Sequence, residues 1–380
     1  MWMNLPDGFE YIILSVILIA IASVPYLYYL CGIRFGKKTA KIPLLSDAEL
    51  PCVSIVISAY NESAVIERRI TNLLESDYPL NKYELLFIDD CSSDNTGQLA
   101  KNALEKSGIP YQFFTNTERK GTNRSYNAAI KTAKYDIIAT TDANKFFRAE
   151  TLRTLISRLM YTKDTAAVCA EVLPEPVSAA EKLGSLEGVY RNFYGRMCDW
   201  ESAVDSTYNF NGALVAFKKD MVSSINERKG ADDANTAFEA IRRGYRAVYE
   251  TDAVVYEKIP KNIKKQYKQK IRRAKRLIEA TLANRDLLRS GRPFAKKFYP
   301  FRLMMYVVCP TVFFAGGILF IIGLFILNPL FALLFLALAI LFMIGFKKTL
   351  VAAFVLNQFY LLIGLLNLGK DMRVWESTSV

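Results

Sequence analysis

Three stretches carry no charged residue: 11–33, 303–346 and 350–369. A membrane span needs about 20 apolar residues. The first and last stretches therefore read as one span each, and the middle one must break, at Asn328-Pro329. Between them the pattern changes. Short β-prone runs at 53–58, 85–88, 112–114 and 136–141 alternate with amphipathic segments, among them 124–133 and a helix to about Glu75 that Asn61 would cap. That alternation predicts an α/β domain with a parallel sheet and crossover helices. Further strands are expected at 167–171 and up to Phe217, and further helices at 179–201 and from Gly230 to Arg243, closed by Gly244.

Charge gives the spans an orientation. The 380-residue chain is 52% hydrophobic with a net charge of +12. Arg34, Lys37, Lys38 and Lys41 follow the first span; Lys296, Lys297 and Arg302 precede the second; Lys347 and Lys348 separate the last two. Basic residues stay on the cytoplasmic side, so one topology fits: N-terminus outside, central domain cytoplasmic, C-terminus outside, four spans. The first span is too long, and its flank (Asp7, Glu10) too acidic, for a cleaved signal peptide. The organisation expected is an anchor at 1–33, a basic linker at 34–51, an α/β domain at 52–260, basic interfacial helices at 261–300, a three-helix membrane region at 301–369 and a tail at 370–380. Cys31, Cys52, Cys91, Cys169, Cys198 and Cys309 have no metal-ligand spacing and fit thiols of a reducing compartment. There is no histidine, so a general base must come from a carboxylate, or failing that Lys, Tyr or Cys. The positive charge clusters beside spans, which leaves nothing for nucleic acid to explain.

The strands end in polar clusters. The first stops at Ala59-Tyr60-Asn61-Glu62, the second at Asp89-Asp90-Cys91-Ser92-Ser93-Asp94-Asn95-Thr96, and the fourth at Asp142-Ala143-Asn144. All lie at the edge of the sheet where α/β proteins bind ligands. Asp142 and Asn144, two residues apart, could hold one divalent cation bridging phosphates. Each cluster alone is equally a turn or a helix cap; three on one edge are harder to dismiss.

In order and spacing these clusters resemble the nucleotide-sugar-binding half of family-2 glycosyltransferases, whose patterns there are A-x-N-E, D-D-x-S-x-D-x-T and D-A-D. The similarity spans about 51–276, and the membrane layout resembles that of cellulose- and hyaluronan-synthase relatives. It implies a GT-A fold and a donor site of Tyr60 against the nucleobase, Glu62 closing the A-x-N-E pattern, and Asp90 accepting from a base N–H. Asp142 would hold Mg²⁺ or Mn²⁺ on the diphosphate. Asn144 stands where relatives carry a second Asp, which implies a weaker metal site or one completed by the nucleotide. Lys120 and Arg124 fall where relatives keep a basic residue near the phosphates, although a solvated basic face fits equally well.

The second half resembles the family's acceptor side. Asn211 and Gly212 sit where relatives face the acceptor. Asp232-Asp233 resembles the E-D motif, with Asp233 as general base and Asp232 its neighbour; an N-cap pair is the alternative. Residues 261–276 hold nine Lys or Arg and no acid, suited to anionic lipid or to a leaving diphosphate. Within that run Gln269 and Arg272 match the family's Q-x-x-R-W, and Arg273 replaces the tryptophan, which puts processive polymer synthesis in doubt. Tyr190, Phe193, Tyr194 and Trp200 read as core or membrane-interface aromatics. Asn357 and Gln358 read as helix–helix hydrogen-bonding groups, or as part of a glycan path.

The expectation is an inverting glycosyltransferase, hexosyl or N-acetylhexosaminyl, at the cytoplasmic membrane face. It would move sugar from a nucleotide-diphosphate donor, a UDP-sugar first, to a polysaccharide or lipid-linked glycan. The alternatives are a polyprenyl-phosphate sugar synthase and a catalytically idle membrane scaffold that keeps the fold.

Overall fold

A computed structural model describes residues 6–175, 186–225, 227, 230–258, 262–345 and 349–370. Lys261, Lys347, Lys348, the start of the helix expected from 179 and most of the expected tail lie outside the described residues. Among the described residues eight strands form one sheet: β1 (Val53–Ala59), β2 (Tyr83–Asp89), β3 (Tyr111–Thr115), β4 (Ile137–Asp142), β5 (Lys145–Phe147), β6 (Thr165–Pro174), β7 (Leu214–Lys218) and β8 (Arg246–Glu257). Their order is β3-β2-β1-β4-β7-β6-β8-β5. The first four strands pair in parallel, as the alternating pattern requires, with Ser58 of β1 in register with Asp142 of β4. From β4 onward the sheet is mixed: β7 runs antiparallel to both β4 and β6, and β5 antiparallel to β8. The short β5 and the whole of β8 were not expected from the hydrophobic pattern.

Both faces of the sheet are covered, so its central strands are buried until their C-terminal ends. Ile55 and Ile57 of β1 pack on one side with α2 (Ile66–Leu74), α3 (Thr96–Ser107) and α5 (Thr151–Tyr161). Val56 points the other way, toward α4 (Thr122–Thr132), α6 (Leu186–Val204), α7 (Asp232–Arg242) and α8 (Ile263–Ala283). α2 starts later than expected. Asn61 is not its cap; it adopts a left-handed backbone (φ 53°) and its side-chain oxygen accepts from the Ser93 N–H at 2.8 Å, tying the two loops together. Asn is among the few residues that tolerate that conformation.

Among the described residues two helices are long and apolar enough to cross a membrane: α1 (Phe9–Phe35) and the stretch Phe294–Leu327. The second contains α9 (Tyr299–Leu303) and α10 (Cys309–Leu327), joined through π-helical turns. It ends at Asn328, whose extended backbone (φ −162°) makes the break expected before Pro329. Two shorter apolar helices follow, α11 (Pro329–Gly345) and α12 (Leu350–Leu366). α1 lies along α10, where Gly316 brings the helices close, as small residues do in membrane bundles.

Arg302 departs from its expected place as a flanking charge. It is fully buried, and its Nε donates to Glu201 Oε1 at 2.6 Å, while the Tyr29 hydroxyl donates to the same carboxylate. A buried arginine needs such a partner, because an unpaired charge in a low dielectric is costly. Trp200, half-buried, packs on Gly32 of α1.

Candidate active site

A cavity of about 280 Å³ opens at the C-terminal ends of β1 and β4 and is closed from the far side by α7 and α8. β4 delivers Asp142 into it, with the side chain 41% exposed. Below Asp142 lies Arg69, fully buried against the Phe147 ring; burial lowers its pKa to about 9, which the Asp142 charge partly opposes.

Asn144 does not face the cavity as an open ligand. It is buried, its Nδ2 donates to Glu62 Oε1 at 3.0 Å, and its Oδ1 accepts from the Lys145 ammonium at 2.8 Å. Lys145 reaches on to Glu257 Oε1 at 3.0 Å and stands 3.6 Å from Asp142 Oδ2. The oxygen expected to ligate a cation is thus engaged by a lysine. Glu62, only 1% exposed, holds Asn144 from the cavity wall instead of reaching out to a donor. Among the described residues no three Asp, Glu, His or Cys side chains form a metal cluster. Asp142 presents a part-exposed carboxylate suited to a cation, and a bound substrate would add further oxygens. Mg²⁺ is commonly bound in that way, through one or two carboxylates plus phosphates.

Three other expectations need correcting. Asp90 is 3% exposed and already accepts from Asn116 Nδ2 (2.7 Å) and from the N–H groups of Lys120 (2.9 Å) and Gly121 (3.0 Å). Its carboxylate is already engaged in organising the loop before α4. Lys120 is exposed, contributing that N–H and no side chain to the cavity wall. Arg124 points outward to Glu227 at 3.7 Å. Tyr60, the ring expected to meet the base, carries the Arg119 guanidinium 3.4 Å above it as a cation–π pair.

The acceptor-side expectations converge better. Asp232 and Asp233 begin α7, where the helix dipole favours anions. Asp232 pairs with Arg276 of α8 at 3.5 Å, and Asp233 Oδ1 accepts from the Ala234 N–H at 2.7 Å. Burial pushes the Asp233 carboxyl up to about 7, and the adjoining Asp232 charge pushes the same way. Asp232 is raised too, by burial first, against the pull of Arg276. Gly212 backs onto Asp233 with φ +67°. Asn211 fixes that turn, donating to the Ala170 carbonyl at 2.7 Å and to the Tyr249 hydroxyl at 3.1 Å. Gln269 and Arg272 of α8 line the cavity, as expected. Arg273, in the tryptophan position, pairs with Glu257 of β8.

Residues 137–364, more than half of the chain, match glycosyl transferase family group 2, and residues 54–211 match glycosyl transferase family 2. The chain belongs to this glycosyltransferase family. The glycosyltransferase superposes on the mannosyltransferase PcManGT from Pyrobaculum calidifontis, solved with GDP-Man and Mn²⁺, with a TM-score of 0.78. The two share 25% sequence identity over 94% of this chain and 99% of that one. It is also similar to poly-beta-1,6-N-acetyl-D-glucosamine synthase of Staphylococcus aureus, 24% identical over 302 residues, covering 78% of this chain and 70% of the relative. A probable glycosyltransferase of Bacillus subtilis, YdaM, is 22% identical over 234 residues, 60% of this chain and 55% of that one.

Several groups in the glycosyltransferase's cavity escaped the motifs. Arg276 had a local signal: it follows Arg272 by four residues, hence on the same helix face. Lys145, Glu171, Tyr249 and Glu257 had none, because strand pairings and helix packing bring them together across long separations in the chain.

Proposed function

We propose that this enzyme is an inverting glycosyltransferase that moves a sugar from a nucleotide-diphosphate donor to a hydroxyl of a glycan acceptor. The reading rests first on Asp233, a carboxyl raised to about 7 inside the cavity that also holds Asp142 and Arg272. A base near the working pH is best poised for proton transfer. The acceptor hydroxyl gives its proton to Asp233 as its oxygen bonds to the anomeric carbon from the face opposite the diphosphate. The bond from that carbon to the phosphate oxygen breaks, and the electron pair leaves on the nucleoside diphosphate. A single displacement inverts the anomeric centre and needs no protein nucleophile.

Arg272 and Gln269 receive the departing diphosphate, and Arg276 holds Asp232 beside the base. Asp142 would hold a Mg²⁺ or Mn²⁺ ion together with the diphosphate, and the ion would supply charge neutralisation to the leaving group. The open Asp142 carboxylate fits that role, and the Mn²⁺ bound to the related mannosyltransferase supports it. With Asn144 committed to Lys145, the protein alone offers the ion little, and the nucleotide completes the site.

The name of the staphylococcal relative supports a polysaccharide acceptor and an N-acetylglucosamine donor; the GDP-Man of the archaeal relative makes GDP-mannose the second donor to try. α11 and α12, each 17 residues long, meet the lower limit for a span, and with α1 and Phe294–Leu327 they make four. The basic flanks then put the catalytic domain on the cytoplasmic side.

The test offers purified protein in lipid a panel of nucleotide sugars with Mn²⁺ or with chelator, beside Asp233→Asn. Metal-dependent transfer from one donor, lost in the variant, supports the reading. Full transfer by the variant would remove Asp233 from it.

A further inference from the structure

Glu171 occupies a place that hydrophobic alternation reserves for the core. Along β6, Ala167 and Cys169 point into the apolar layer with α6, while Val168, Ala170 and Val172 point to the other face. Glu171 continues the first series and so puts a carboxylate where an apolar side chain is expected. It is 9% exposed and lines the active-site cavity. Two further features make room for it. The β6–β8 register slips between Ala170 and Glu171, the β8 partner jumping from Glu250 to Val254, and such bulges re-aim side chains near active sites. Across from it, α6 carries Gly195 in its interior, although glycine is a poor helix former. A Cβ built on Gly195 would lie 2.4 Å from Glu171 Oε2. The helix interior and the sheet register both give way to one acid.

This acid is tied to the proposed chemistry. Asn211 donates to the carbonyl of Ala170, the residue before Glu171, and Gly212, the residue after Asn211, backs onto Asp233. The Cys169 thiol, pushed up chiefly by burial, is pushed further by the charges of both Asp233 and Glu171. The arginines of the cavity, Arg272, Arg273 and Arg276, all stand on α8, and Lys145 enters it from β5, while Glu171 and Tyr249 face the cavity from the β6–β8 strand pair.

We infer that Glu171, in the space kept open by Gly195, is an acceptor-binding residue that takes hydroxyl donors of a neutral sugar and disfavours a phosphorylated acceptor. The inference rests on the reading of this cavity as a sugar-transfer site. A carboxylate is an acceptor-only group with about four lone-pair directions, so it suits neighbouring hydroxyls and repels a phosphate. It orients the acceptor so that another hydroxyl meets Asp233.

The test is equilibrium binding by calorimetry to the full chain in detergent, which needs no turnover and so reads out even where Asp233 proves not to be the base. The probes are mannopentaose, penta-N-acetylchitopentaose and pentamannose 6-phosphate, with UDP and GDP as donor-side controls. Wild-type protein is expected to bind a neutral pentasaccharide at least about tenfold more tightly than the phosphorylated one. Glu171→Gln and Gly195→Ala, made separately, should each weaken the neutral glycan roughly tenfold to a hundredfold, the range for a lost hydrogen bond to a charged group. Nucleotide affinity should stay within about twofold, a split that a general loss of structure would not produce. Neutral-glycan affinity unchanged in both variants, failure of wild-type protein to bind either neutral glycan, or preference for the phosphorylated probe would each overturn the inference.

Discussion

Gly212 leaves little space for a side chain over Asp233: a Cβ built there would lie 3.2 Å from Asp233 Oδ2, on a backbone with φ +67°. Gly212→Ala therefore meets two obstacles, a left-handed conformation costing about 1–2 kcal/mol and a contact on the proposed base. We expect a lower unfolding temperature and a transfer rate reduced by more than about tenfold, since small misplacements of a reacting group are costly. Initial rates and a melting curve on the same preparation check both.

Asp233 also sets a pH dependence. A base must be deprotonated, and its raised pKa predicts a rate that climbs with pH and levels off above about 7. Asp233→Asn should lower kcat by roughly 10²–10⁴-fold and abolish that limb of the profile.

The same shift has a stability sign. The folded chain keeps a proton on Asp233 that the unfolded chain releases near the ordinary aspartate value of 3.8, so stability falls as pH rises from about 4 through 7. Asp233→Asn removes that penalty. Its melting temperature should exceed wild type at pH 8 and approach it near pH 4; a gain of equal size at both pH values would contradict the shift.

Replacing Asn144 by the aspartate usual in the family is expected to harm this chain. Asn144 Nδ2 donates to Glu62 Oε1, and an aspartate would set two carboxylates against each other in a buried place. Asn144→Asp should cost stability of at least about 1–3 kcal/mol, the range for breaking a buried hydrogen bond. The pair Asn144→Asp with Glu62→Gln should recover most of it, as denaturant titration would show.

Arg302→Met would leave Glu201 buried without its cation, and about 3–5 kcal/mol of destabilisation follows. Arg302→Met with Glu201→Gln should unfold later than the single variant. If the single change is neutral, the ion pair contributes nothing to the packing of α9 on α6.

What the sequence disclosed was local. The parallel strands, the break at Asn328 and the position of Asp142 at a strand end follow from periodicity and chain order, and the structure reproduces them. What it obscured was partnership. Asp90 looks free to read a base in the linear motif, yet a loop about thirty residues on supplies its donors. Glu62 and Asn144, 82 positions apart, satisfy each other. Arg302 reads as a boundary charge until Glu201, 101 positions earlier, meets it. Glu171 belonged to no motif, and its meaning comes from a register slip and a glycine on a facing helix.

Tyr29, Glu201 and Arg302 come from α1, α6 and α9, so one buried knot joins the first apolar helix, the catalytic domain and the second apolar helix. With those helices in lipid, the reacting centre rides at one altitude, like a stylus on a fixed arm. Sugars would then have to reach it at that height, and depth in the interface would join shape as a criterion of selection.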